Sequence, residues 1–221
     1  MTKVLLINPN SSIETLNMMV NIANGHADGE FQVIGEAAKG VPKLLTTDED
    51  QRLAALEVVR IAKQAEQSGE YRGVIIAAYS DPGLEELQGT FSLPITGIGY
   101  ASMVEVVSQD PPKPFVIVTT TSSLVDNLNK KVHRHGFEEY FIGVKIPQGD
   151  LKKITEDPLL LKNALKETCE HSFEKDGAKA AIIGGGPFAE IAAEICQELN
   201  QPVIAPIKSA VSHMKKLLKE N

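Results

Sequence analysis

Short β-branched runs alternate with stretches of helical periodicity along the whole chain, and this alternation restricts the fold more than any single motif does. Candidate strands are Val4–Asn8, Gln32–Glu36, Gly73–Ala78, Ile95–Ile98, Phe115–Thr119, Phe141–Ile146, Ala180–Gly184 and Pro202–Ala205. Helical patterns fall between them at Ser12–Ile22, Asp48–Gln67, Ser102–Gln109, Ser123–His133, Pro158–Lys175, Ala189–Leu199 and Ile207–Leu218. Strand, helix and strand in that order make βαβ units, so the expected class is α/β with parallel sheets flanked by helices. In such sheets ligands bind beyond the carboxyl ends of the strands, where helix N-termini and free backbone N–H groups converge.

The 221 residues provide ample core for one large domain or two lobes. An internal echo favours two. Each half runs strand, hydroxyl- or amide-rich loop, helix, strand, long helix, strand, then a loop of glycine and proline: Ser80-Asp81-Pro82-Gly83 in the first half and Gly184-Gly185-Gly186-Pro187 in the second. No Gly/Ser linker or charge block separates the halves.

A formal net charge of −7 gives no basic stripe for a nucleic-acid backbone. The one local basic cluster, Lys215-Lys216 and Lys219, reads as favourable charge in the last turn of a helix. No apolar run reaches the ~18 residues of a membrane span, and Met1-Thr2-Lys3 leads straight into a strand, so a cytoplasmic protein without membrane or nucleic-acid partners is expected. Cys169 and Cys196 lack metal or CxxC spacing and sit in helical patterns, so free, buried or half-buried thiols are expected.

Several polar segments have a plain structural reading. Asn10-Ser11-Ser12 and Thr119–Ser123 suit helix N-caps. Asp81-Pro82-Gly83 suits a turn capping the next helix, and Glu190 suits the first turn of a helix. His133 and His135 around Arg134, before Gly136, form a helix C-terminal pattern rather than a metal pair; His26, His171 and His213 are expected to be isolated and exposed, and no metal site is expected. The late glycine run lacks the order of a dinucleotide fingerprint.

Taken in order, Ile7-Asn8-Pro9-Asn10-Ser11-Ser12, Ser80-Asp81-Pro82-Gly83, Val118-Thr119-Thr120, Asp176-Gly177-Ala178 before Ile182-Ile183-Gly184, and Gln201-Pro202-Val203-Ile204 resemble the aspartate/glutamate/hydantoin racemase superfamily, in pattern nearest its hydantoin and allantoin branch. The resemblance covers essentially the whole chain. It implies two pseudo-symmetric lobes, residues 1–98 with 206–221 and residues 99–205, with an active-site cleft between them. It also implies cofactor-free proton transfer by one cysteine from each lobe, the substrates being small carboxylates or cyclic amides such as hydantoins and imides, and a homo-oligomer.

By the same resemblance the two cysteine positions fall at Ala78 and Gly185, neither of which carries a proton. Cys196 lies eleven positions beyond Gly185, roughly two to three helical turns away. Ligand-binding groups are then expected from Asn8, Asn10, Ser11, Thr119, Thr120, Thr121, Gly185 and Gly186. Proton transfer would fall to Tyr79, Ser80 or Glu190, with a pocket wall the alternative for Tyr79 and a helix first turn the alternative for Glu190. Two functions stay open: an enzyme with a non-standard mechanism, of racemase, isomerase, decarboxylase or lyase type, or a catalytically silent binder of a similar ligand.

Overall fold

The computed structural model describes residues 1–185 and 188–220. Strands β1 (Lys3–Asn8), β2 (Gln32–Ala37), β3 (Val74–Ile76) and β4 (Ile95–Gly97) form one parallel sheet in the order β2-β1-β3-β4. Strands β5 (Phe115–Val118), β6 (Phe141–Lys145), β7 (Ala180–Ile183) and β8 (Val203–Ile204) form another in the order β6-β5-β7-β8, the same path again. The helices are α1 (Ile13–Ala27), α2 (Asp48–Ser68), α3 (Leu84–Leu87), α4 (Ile98–Val107), α5 (Val125–Arg134), α6 (Leu151–Glu156), α7 (Pro158–Lys175), α8 (Ala189–Glu198) and α9 (Pro206–Glu220). The chain divides into two compact units, Met1–Ala101 with Ile207–Asn221, and Ser102–Pro206.

Helices cover both faces of each sheet, which explains why the central strands are apolar throughout rather than alternating. Every residue of β3, β5 and β7 is buried, as is Val4–Asn8 of β1. In the first unit Leu5, Ile7, Val74 and Ile76 pack against Val58, Ile61, Ala62 and Ala65 of α2. In the second, Val116, Val118, Ala181 and Ile183 pack against Leu165 and Cys169 of α7 and Ala192 and Ile195 of α8. Local signals set the helix ends: Thr47 and Asp50 form a capping box on α2, which stops at Gly69 with φ 66°, and Asp157 caps α7 ahead of Pro158.

The structure departs from the sequence reading in three places. Helix α4 begins at Ile98, ahead of the expected Ser102, because a side chain distant in sequence caps it. The short helices α3 and α6 were not expected; four and six residues are too few for a readable period. His26 and His213 are half-buried rather than exposed, His213 with its Nδ1 2.8 Å from Thr96 Oγ1 and its ring beside Tyr100.

Candidate functional site

In each unit the strand order reverses between the two central strands, β1 and β3 or β5 and β7, and their carboxyl ends open onto the crevice where open parallel sheets bind ligands. The ladders register the two units residue for residue there. The Ala77 amide donates to Ile7 O (2.8 Å), and the Gly184 amide donates to Val118 O (2.8 Å). One step further, Ala78 and Gly185 occupy equivalent places, as do Asn8 and Thr119. Each loop then closes the same way: Asp81 N–H donates to Ala78 O (2.9 Å), and Phe188 N–H donates to Gly185 O (3.1 Å). The two positions singled out in the sequence thus hold the first place of two like turns.

The loop after β1 is a self-satisfied amide cluster. Asn8, fully buried, donates through Nδ2 to Asn10 Oδ1 (2.8 Å) and to Ser12 O (2.9 Å). Asn10 Oδ1 also accepts from Ser12 N–H (2.9 Å), and Ser12 Oγ caps α1 by accepting from Thr15 N–H (3.3 Å). Asn8 therefore shapes the loop, while Asn10 keeps its Nδ2 uncommitted within it. Ser11 is half-buried and donates its backbone N–H to Pro42 O (3.3 Å).

The loop after β3 commits most of its polar groups inward. Ser80 donates its hydroxyl to Gln51 Oε1 (2.7 Å), a buried glutamine on the apolar stripe of α2. Tyr79 is buried, its phenolic oxygen included, so contact with a ligand requires the side chain to move. Ala78 presents a half-buried methyl. Asp81, at φ 49°, turns its carboxylate onto the start of α4, accepting from Gly99 N–H (3.0 Å) and Tyr100 N–H (2.6 Å). It thus caps α4 and not the next helix, α3, whose N-cap residue Gly83 provides no side-chain cap. Gly97 makes this possible, since a Cβ there would overlap the Asp81 carboxylate.

In the second unit, Thr119 is buried and its Oγ1 accepts weakly from Thr121 N–H (3.4 Å). Thr120 and Thr121 are half-buried, and Thr121 makes no side-chain cap to the turn at Ser122–Leu124. Gly185 has φ 157°, Gly186 lies outside the described residues, and Glu190 is an exposed residue in the first turn of α8. The structure brings the predicted residues to the carboxyl ends of their own sheets, with Glu190 pointed to solvent.

Neither thiol belongs to these loops. Cys169 is fully buried on α7, and desolvation, with Cys196 and Glu170 adding to it, pushes its thiol up to about 12. Cys196 on α8 packs on the same core and donates its S–H to Val203 O (2.8 Å). A cavity of about 360 Å³ beside β6 and α7 is lined by Lys145, Glu167, His171 and Asp176, of which Lys145 and Asp176 pair with each other, Nζ lying 2.8 Å from Oδ2. Among the described residues no group of three or more His, Cys, Asp or Glu could hold a metal ion, and no helix is long and apolar enough to cross a membrane.

Sequence reasoning missed Gln51, the true target of Asp81, and Phe188. A polar residue on the apolar stripe of a predicted helix was the readable signal for Gln51. The other two depend on contacts that sequence spacing does not encode.

Comparison with known proteins matches this geometry to a family. A family model described as Asp/Glu/Hydantoin racemase matches residues 4–214. The chain is 24% identical over 209 residues to a hydantoin racemase from Paenarthrobacter aurescens, covering 94% of this chain and 87% of that one. Its fold is similar to that of an allantoin racemase from Klebsiella pneumoniae, with TM-score 0.89 and 23% identity over 100% of this chain and 89% of the other. An allantoin racemase from Pseudomonas fluorescens gives TM-score 0.88 and 20% identity over 99% and 92%. With the family model spanning both sheets and the loops at their carboxyl ends, the chain belongs to the Asp/Glu/hydantoin racemase family.

Proposed function

We propose that the protein is an enzyme acting without a cofactor on a small carboxylate, hydantoin-like or cyclic imide compound, by a route other than a two-thiol relay. One observation carries this reading: the equivalent positions Ala78 and Gly185, first in two like turns at the carboxyl ends of β3 and β7, bear no proton carrier, while neutral hydrogen-bonding groups remain in the neighbouring loops. The names of the similar proteins, hydantoin racemase and allantoin racemase, suggest the ligand class. A carbon acid beside a carbonyl loses its proton readily only if the developing oxyanion is held by fixed donors. Asn10 Nδ2 in the first unit, and separately the Thr120 and Thr121 hydroxyls and the backbone N–H of Gly185 in the second, are groups of the kind suited to that. Proton movement falls to Tyr79, after a side-chain rotation, or to bound water.

The second reading is a silent binder of the same ligand class. It is favoured by the commitments of the proton-carrier candidates: Ser80 bonded to Gln51, the Tyr79 oxygen buried, Glu190 at the surface. Incubation in D2O with hydantoins, allantoin, aspartate, glutamate and substituted malonates, followed by NMR, separates the two. α-Proton exchange or turnover that drops at least tenfold in Tyr79→Phe is the expected result. Saturable binding with no exchange or turnover of any compound overturns the enzyme reading in favour of the binder.

A further inference from the structure

The two like turns differ in what their fourth residue does. In the first, Asp81 turns away to cap α4. In the second, Phe188 folds back over the first residue of its own turn. A Cβ added at Gly185 would lie 2.5 Å from Phe188 Cδ2 and 2.7 Å from Cε2, closer than packed carbon atoms come. The ring is half-buried against the core of the second unit, beside α8, so it is not a loose end that swings aside. The glycine and the phenylalanine are therefore one packing solution: the ring stands where a side chain at position 185 would be.

We infer that Phe188 is a specificity-determining residue of the second loop, a steric plug that bars any proton-carrying side chain from position 185 and presents aromatic surface in its place. The inference rests on the proposed reading that position 185 is where related enzymes carry the second thiol. Its consequence is that a single substitution does not restore a thiol there. The plug has to be removed as well.

A double-mutant cycle in the full-length protein tests this. Gly185→Ala alone is expected to lower the melting temperature by about 5 °C, the scale of overpacking in a chain of this size. In a Phe188→Ala background the same substitution costs less than half as much. Backbone strain at φ 157° is present in both backgrounds and cancels, so the difference reports the ring alone. Phe188→Leu provides a milder background if Phe188→Ala does not fold. Equal penalties in wild-type and variant backgrounds overturn the plug.

The catalytic reading is tested separately. Ala78→Cys with Gly185→Cys is expected to bring no gain in α-proton exchange or racemisation across the panel over the wild type, and adding Phe188→Ala is expected to raise both at least tenfold above that double variant. A non-additive cycle with no gain in the triple variant keeps the plug and overturns the placement of the second proton carrier at 185.

Discussion

Asp81 and Gly97 form a pair in which one residue's lack of a side chain makes room for the other's charge. The carboxylate accepts two backbone N–H bonds at the start of α4, and charge-assisted bonds of this kind are worth about 1.5–3 kcal/mol each. Gly97→Ala forces the carboxylate out and is expected to lower stability by roughly 1–3 kcal/mol in urea unfolding. Asp81→Ala should cost at least as much, since it removes both bonds, and the double variant should cost clearly less than the sum, because the two share one contact. Additive losses would show that the contact does not exist. The thiols make a second residue-scale case. Cys169, held near 12, has almost no thiolate at neutral pH, and Cys196 spends its S–H on Val203 O. Iodoacetamide is expected to leave both unmodified in the folded protein and to label both after unfolding, as counted by mass spectrometry, without reducing any turnover. Rapid labelling of either in the folded state would contradict the packing. The inert character of these cysteines was legible from their helical setting, whereas the partner of Asp81 was not, since Asp and Gly between two apolar runs read as a turn whatever the carboxylate touches.

Among the elements, all eight strands of the described residues were legible, because parallel strands buried on both faces leave unbroken apolar runs between breakers. The helices with several turns and a local cap were equally clear; Thr47 with Asp50 and Asp157 with Pro158 announce α2 and α7 in the residues themselves. Helix α4 was placed four residues late because its cap comes from another element, and such a signal has no local signature. Helix α9 shows how packing adds chemistry to a readable element. Its buried stripe of Ile207, Ala210, Val211 and Met214 carries His213 inward to Thr96 and Tyr100. Burial lowers the imidazole pKa from 6.5 and Lys216 adds to this, while Glu220 opposes it. Below about 6.5 the unfolded chain takes up this proton before the folded one does, so stability is full above that value and declines as the pH falls towards the lowered folded pKa. His26, lowered mainly by desolvation, acts in the same direction. The urea midpoint is expected to fall between about pH 7.5 and about pH 5, and His213→Gln should flatten that slope. An unchanged slope would place His213 in water.

At the scale of the molecule, the repeated order of strands was legible as an echo of loop types, and the candidate positions at the carboxyl ends of the sheets followed from it. What the loops do with their side chains was not legible: Ser80 bonds a glutamine 29 positions away, and the Phe188 ring turns back on its own loop. Hydrogen exchange should divide each unit by strand position. The slowest amides are expected in β1, β3, β5 and β7, which have neighbours on both sides, and faster exchange in the edge strands β2, β4, β6 and β8. Faster exchange in β1 than in β2 would contradict the order. The first unit is discontinuous, taking α9 from Ile207 onward, while the second is one unbroken segment from Ser102 to Pro206. During synthesis on the ribosome, the strands of the first unit therefore wait for residues translated after the whole of the second unit. Nascent β1 to β4 leave the exit tunnel with the ground under Met214 still bare, and the later-born unit is the one able to finish first.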